Sequence, residues 1–234
     1  MIDIKDRWAL VTGSSRGIGM RVAKALAEKG CKLILHSRKL EGTRDVLEEI
    51  KSMGNEVYAV EAELDSPTEV SRLIEEVKEI TNDHLDILYN NAAIMTTYQP
   101  IFEPTVEEYT KSFMVNTIVP AKLCDAFLPG MIERNWGRVV NVTSGIADQP
   151  QLMPYSCSKA ALDRYVRDTV ATLDGTNVLM NLMDPDWLRT DLGGSDAPND
   201  PDSVLPGALV PVLLEKEKGS GTLYLAQDYA VKTA

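Results

Sequence analysis

Seven short apolar runs, spaced by stretches long enough for helices, constrain this chain more than any single motif. They are WALVT (Trp8 to Thr12), CKLILH (Cys31 to His36), EVYAVEA (Glu56 to Ala62), LDILYN (Leu85 to Asn90), RVVNVT (Arg138 to Thr143), NVLMNLM (Asn177 to Met183) and TLYLA near the C-terminus. Between them lie amphipathic segments such as MRVAKALAEKG, closed by Gly30 as helix C-termini prefer, and PTEVSRLIEEVKEI. Alternation of this kind implies right-handed crossovers and a parallel sheet covered by helices on both faces. Runs that are apolar throughout suit strands buried on both sides. A chain of 234 residues, 44% of them hydrophobic, fits one such unit, so residues 1–234 are read as a single domain. One region departs from the pattern. From Asp184 to Pro211 there are five prolines and few apolar residues before Val204, which predicts a long loop running into a short helix, with a lid within 186–211.

The first run leads into VTGSSRGIGMRVAKAL, with Gly13, Gly17 and Gly19 spaced G-x-x-x-G-x-G. A tight turn needs positive φ, a phosphate needs close backbone approach, and a helix start offers free N–H groups at a positive dipole end. Placed between a strand and an amphipathic helix, the motif predicts a nucleotide-phosphate site in a Rossmann-type doubly wound sheet of about seven strands. Such sites often carry an acid at the end of the second strand for the adenosine ribose. This chain has His36, Ser37 and Arg38 there. Arg38, helped by Arg16, would pair a 2′-phosphate, so NADP(H) is expected over NAD(H), which remains possible.

The formal net charge of −11 argues against a nucleic-acid partner, which would call for a basic face. No apolar run approaches the roughly 20 residues of a membrane span. The start, MIDIKDRWALVTG, has no apolar signal core, and Cys31, Cys124 and Cys157 have neither pairing nor metal-ligand spacing, so a reducing cytoplasm is expected. His36 and His84 lie far apart with no zinc-type cluster, and no metal site is expected.

Two further features carry chemistry. In MPYSCSKAALDRYV, Tyr155 and Lys159 are four residues apart, on one face of a helix whose first turn accommodates Pro154. Taken alone the pair reads as a surface tyrosine beside a surface lysine. The stretch TVEEYTKSFMVNTIVPAKLCDAFL reads as one long helix with a capping box at Thr105 and Glu108, and Pro120 inside it leaves the Asn116 carbonyl without its N–H partner, free for a water.

TGSSRGIG, NNAA (Asn90 to Ala93), Asn116, Ser144, YSCSK and PDWLRTD occur in the order of the short-chain dehydrogenase/reductase family, which the chain resembles from about Trp8 to Asp191, with a fainter echo in GSGTLYLAQD. The resemblance implies an oxidoreductase interconverting a ketone and a secondary alcohol. Tyr155 would be the general acid or base, Lys159 would hold the nicotinamide ribose and lower the tyrosine pKa, Ser144 would hydrogen-bond the carbonyl oxygen, and Asn116 would hold a relay water. Gly13, Ser15, Arg16, Gly17, Ile18 and Gly19 would line the phosphates and adenosine, with Ser37 and Arg38 at the ribose. Glu63 and Leu64 would reach adenine, Asn91, Ala92 and Ala93 would pass under its ribose, and Pro185, Leu188 and Thr190 would flank the nicotinamide amide. A free tyrosine pKa of about 10 is too high for proton transfer near neutrality, and a cation one turn away would favour the phenolate. Strand alternation allows only one of Thr143 and Ser144 to reach the substrate, and the motif favours Ser144.

Two departures stand out: Ala93 and Asp186 occupy family glycine positions, and Asp186 would bring a carboxylate to the nicotinamide end. A 3-oxoacyl-acyl-carrier-protein reductase is the nearest alternative. It would need a basic docking patch, for which Arg134, Arg138, Arg164 and Arg167 are candidates, against an acidic lid. A nucleotide-sensing protein that lost catalysis is the alternative of another class. The family implies a homotetramer or homodimer acting on a small-molecule carbonyl or alcohol.

Overall fold

The computed structural model describes residues 1–230, so the last four residues of the expected 1–234 unit lie outside it. All seven expected strands form: β1 (Trp8–Val11), β2 (Lys32–Ser37), β3 (Val57–Glu61), β4 (Ile87–Asn90), β5 (Gly137–Val142), β6 (Val178–Asp184) and β7 (Leu223–Leu225). They make one all-parallel sheet in the order β3-β2-β1-β4-β5-β6-β7. The chain runs outward from β1 to β3 and then returns to lay β4 beside β1. That reversal opens a crevice beyond the carboxyl ends of β1 and β4, where such sheets bind ligands.

Six α-helices cover the sheet: α1 (Gly17–Glu28), α2 (Arg44–Ser52), α3 (Pro67–Thr81), α4 (Val106–Phe113), α5 (Val119–Glu133) and α6 (Met153–Thr169). Two hydrophobic clusters lie on its two faces, one centred on Val22, Leu26, Leu33 and Leu35, the other on Leu10, Leu73, Leu88 and Leu123. Strands whose side chains are buried on both faces explain the unbroken apolar runs. No helix among the described residues is long and apolar enough to cross a membrane.

The long helix expected around Asn116 is not uniform. The capping box at Thr105 and Glu108 forms, but between α4 and α5 the backbone widens into a π-helical turn over Met114–Ile118. Pro120, in the first turn of α5, supplies no N–H to the carbonyl of residue 116, and a widened turn is a usual response to a broken ladder.

The segment 186–211, expected to hold a lid, is not open loop throughout. Two 3₁₀ turns, Pro201–Val204 and Gly207–Val212, occupy its second half, and Val204, Ala208, Leu209 and Val212 are buried in the main core. Up to Ser203, Leu188 alone joins that core cluster, and around it Trp187 Nε1 donates to Gly193 O and Asn199 Nδ2 donates to the carboxylate of Asp186.

Candidate active site

The crevice beyond β1 and β4 is a cleft of about 710 Å³. Its floor at one end is the glycine turn. Gly13 and Gly17 both have positive φ, +66° and +59°. A Cβ on Gly13 would lie 2.9 Å from Ala92 Cα, so the turn is pressed against the segment after β4. Asn91 fastens the two: its Nδ2 donates to Thr12 O and Gly13 O, while Thr12 Oγ1 accepts the N–H groups of Asn91 and Ala92. The Asn91 side chain is therefore spent holding the turn. Gly19 does not line the cleft as expected. It lies beneath the turn, where a Cβ would come within 2.3 Å of Gly13 O, and so serves helix–turn contact.

The start of α1 differs from those of α3 and α4. Ser66 caps α3 and a reciprocal box caps α4, but α1 has no side-chain cap and no acid in its first turn. Free N–H groups, positive φ glycines and a helix dipole facing one cleft suit a phosphate-bearing group. Ser15, Arg16, Gly17 and Ile18 line this end, with Ser37 and Arg38 from the end of β2 and Glu63 and Leu64 from the end of β3. Arg38 is exposed and makes no ion pair among the described residues, whereas Arg16 pairs with Asp191 of the lid segment at 2.7 Å.

His36 is a residue the sequence reading passed over. It is buried, its Nδ1 accepts the Gly13 N–H at 3.2 Å, and its Nε2 faces Ala62 O at 3.1 Å. Burial lowers its pKa to about 4, against a smaller opposing effect of the Ala62 carbonyl, so the ring is neutral and locks the turn to β2 and β3. The signal was present: a histidine closing an otherwise apolar strand run, at the carboxyl end of the sheet.

At the other end, Tyr155 and Lys159 line the same cleft from α6, 7% and 3% exposed. Lys159 Nζ lies 5.9 Å from the centre of the Tyr155 ring and donates to Val142 O at 2.7 Å. Burial lowers the Lys159 pKa to about 8, against the pull of Asp163 and Asp184. Burial raises Tyr155 to about 12, opposed by the Ser144 hydroxyl and reinforced by Asp184. Burial is thus the largest influence on the phenol, and the Lys159 ammonium is turned to a backbone carbonyl.

Ser144 sits just past β5. It faces Tyr155 closely enough to favour the phenolate, and its Oγ also accepts the Ile146 N–H at 3.3 Å. Thr143 turns the other way, its hydroxyl bonded to Asp163. Asn116 is fully buried behind the cleft. Its Oδ1 accepts the Ile94 N–H, and its Nδ2 donates to Ile94 O and Ser158 Oγ, each at 2.9 Å. The side-chain amide is thus committed to protein partners.

Pro185 and Thr190 line the cleft, as do Ala92 and Ala93. Leu188 does not: it is 3% exposed and packs into the main core. Asp186 is a second correction. It takes the left-handed φ of +65° that a glycine would favour, and its carboxylate turns into the lid segment, accepting from Trp187 N and Asn199 Nδ2. It brings no charge into the cleft. Of the four arginines considered for a carrier-protein patch, Arg167 and Arg164 are exposed, while Arg138 and Arg134 are engaged elsewhere. Arg138 is 1% exposed and stacked on Trp136, Arg134 donates to the carbonyls of residues 83 and 85, and Arg164 pairs with Asp168.

The sequence matches the short chain dehydrogenase family over residues 7–200. Relatives include the "uncharacterized oxidoreductase YvrD" of Bacillus subtilis, 34% identical over 190 residues, covering 80% of this chain and 71% of that protein. Another is the 3-oxoacyl-[acyl-carrier-protein] reductase FabG of Aquifex aeolicus, 31% identical over 194 residues, covering 82% of this chain and 77% of that one. Among solved structures, the angucycline C-6 ketoreductase LanV with bound NADP superposes with a TM-score of 0.85 at 26% identity, covering 96% of this chain and 95% of that one. A glycine turn at the strand reversal, with a tyrosine–lysine pair at the far end of the same cleft, is what these proteins' family would need, and the chain belongs to the short-chain dehydrogenases.

Proposed function

We propose that the protein is an NADP(H)-dependent oxidoreductase that interconverts a ketone and a secondary alcohol, with Tyr155 as the proton donor and acceptor. The observation that carries this reading is that Tyr155 and Lys159 open into the same cleft as an uncapped helix start and an unpaired arginine. When bound, the dihydronicotinamide supplies a hydride. The chain's own residues do the rest. The α1 N-terminus and the glycine turn hold the phosphates. Arg38 meets the 2′-phosphate at the end of β2, where an acid would be needed for an unphosphorylated ribose. Lys159 holds the nicotinamide ribose, Ser144 donates to the carbonyl oxygen, and the Tyr155 phenol, kept protonated by burial, delivers its proton to that oxygen as the alcohol forms.

The Aquifex relative's name and a 25% identical Agrobacterium tumefaciens 3-oxoacyl (acyl-carrier-protein) reductase structure with NADP bound lend the carrier-protein reading some support. The burial of Arg138 and the commitment of Arg134 to backbone carbonyls leave two exposed arginines, Arg164 and Arg167, for such a partner, which favours a free small-molecule substrate instead. Turnover of NADPH with a panel of small diketones tests the proposal. Consumption with at least one diketone supports it, and binding of NADPH without consumption of any would favour the sensor reading.

A further inference from the structure

Behind the catalytic pair lies a second carboxylate-bearing layer that the reaction as described does not use. Tyr155, Lys159 and Asp163 are spaced i, i+4, i+8 on α6 and share one stripe. Across from them, the Thr143 N–H donates to Met183 O at 2.9 Å, extending the β5–β6 ladder by one residue past Val142 and Met183. Thr143 and Asp184 are then neighbours in register with side chains on the same face of the sheet. The Thr143 hydroxyl bonds Asp163, so that face is the one α6 covers. Asp184 is 8% exposed. Its Oδ1 accepts the Asp186 N–H at 2.9 Å, and its Oδ2 lies 2.8 Å from where a Cβ on Gly145 would stand, directly beside Ser144.

We propose that Asp184 is a positioning residue for the Tyr155–Lys159 pair, its buried carboxylate beside Ser144 adding to that of Asp163 as counter-charge for Lys159 and helping to keep the phenol proton in place. Lys159 needs such a partner. Its ammonium is buried and has one hydrogen bond, to a backbone carbonyl. The charged groups around it are few. Asp163 comes from α6, with Arg167 one turn further on acting upon Asp163, and Asp184 comes from β6. The other side of α6 meets α4 and the π-helical turn: α4 carries Glu107, Glu108, which is bonded to Thr105 and Gln99, and Lys111, which is paired with Asp65, and the turn presents the uncharged Asn116. Tyr155 feels Asp184 in the same sense as Lys159 does, since an anion raises the pKa of both groups. Removing that charge therefore loosens both protons together. An acid that keeps its proton is the form needed to reduce a carbonyl, so Asp184 poises the site for reduction. That last consequence rests on the proposed function; the effect on Lys159 does not.

The test follows the Lys159 ammonium directly, by NMR titration of protein carrying carbon-13-labelled lysine, with Lys159→Met to identify the signal. The midpoint, about 8 in the unaltered protein, should fall by about one unit in Asp184→Asn, a tenfold loss of proton affinity. Asp184→Glu should restore most of it. Asp184→Ser serves if the amide variant does not fold, since it keeps an acceptor for the Asp186 N–H. The alkaline limb of NADPH-dependent reduction should move to lower pH with the midpoint. An unmoved Lys159 midpoint in a folded Asp184→Asn or Asp184→Ser protein overturns the proposal. A moved midpoint in a protein that reduces no ketone upholds the counter-charge and defeats the proposed function instead.

Discussion

At the glycine-turn end of the cleft, a ligand meets backbone N–H groups, two positive-φ glycines and exposed cations; at the Tyr155 end it meets side chains that are nearly out of solvent. The first end is specified by conformation. Its one titratable support, His36, is held neutral with a pKa of about 4, so it is insensitive to pH across the neutral range. The second end is specified by burial and charge. Tyr155 is raised to about 12 and Lys159 lowered to about 8, with the cause in each case being removal from water. A site of this kind divides its labour: geometry grips the cofactor, and the electrostatics of a dry pocket set the protonation of the reacting groups.

Tyr155→Phe should break that division most severely. The ring and its packing survive and only the proton donor is lost, so turnover should fall by about 10²–10⁴-fold while NADPH affinity stays near its original value. Steady-state rates beside a fluorescence titration of NADPH check both halves, and a variant that keeps most of its kcat would remove Tyr155 from the role of acid. Arg38→Asp should do the reverse. It acts on the gripping end alone, removing a charge-assisted pair worth about 1.5–3 kcal/mol and placing an acid where the ribose would lie. NADPH should bind at least tenfold more weakly, NADH affinity should rise or hold, and kcat at saturating cofactor should change little. An unchanged ratio of the two affinities would show that Arg38 does not read the 2′-phosphate.

How far each end could be read from the chain follows the same split. All seven strands are found within about two residues of their sequence expectation; the five inner ones are buried on both faces and leave apolar runs, while the edge strands β3 and β7 are partly exposed yet still apolar enough to read. The short helix α2 (Arg44–Ser52) left no comparable mark and was not foreseen. Conformational signals survived well: the glycine turn and the capping box at Thr105 are local and appear where the sequence puts them, and Pro120 leaves its mark as a π-helical turn over Met114–Ile118 rather than in a continuous helix. Directions of side chains did not survive. Asp184 and Asp186 are two residues apart around one proline, yet the first turns inward beside Gly145 and the second outward to Asn199. The left-handed backbone at Asp186 decides that, and aspartate tolerates it often enough that the sequence carries no sign of it. Likewise, nothing local says that Leu188 packs into the core while Thr190, two residues on, lines the cleft. Nor does the spacing of Tyr155 and Lys159 tell whether burial or the lysine charge dominates; that is a balance set by the whole pocket.

Gly19→Ala sharpens the comparison from within the gripping end. The added methyl would meet Gly13 O at 2.3 Å and Asn91 Nδ2 at 2.5 Å, and one of these is backbone of the turn itself. The turn must shift, at a cost of about 1–3 kcal/mol for overpacking. Thermal melting should drop by several degrees, and NADPH should bind more weakly because the N–H groups no longer converge. The pH dependence of turnover, set at the far end, should not move. A shifted pH profile would mean that the two ends are mechanically joined rather than separately built.

The smallest effect is expected at Asp191, and it tests whether the gripping end is held back by a neighbouring carboxylate. Arg16 belongs to the glycine turn, yet its guanidinium pairs with the Asp191 carboxylate at 2.7 Å, and both line the cleft. A phosphate entering there competes with that carboxylate for one cation. Asp191→Asn removes the competitor and leaves a side chain of the same shape, so NADPH affinity should rise. The pair is exposed, with 65% and 68% of the two side chains accessible, and exposed pairs are worth about 0.2–1 kcal/mol. The gain is therefore at most about fivefold, and it should shrink as salt is added, because screening weakens the original pair and the new contact alike. NADH should gain less than NADPH if Arg16 meets the 2′-phosphate, and equally if it meets the pyrophosphate common to both. Titrating the two cofactors against both proteins at low and high salt separates these outcomes, and an affinity that falls on removing the carboxylate would show that Asp191 orders the turn rather than competing with the ligand.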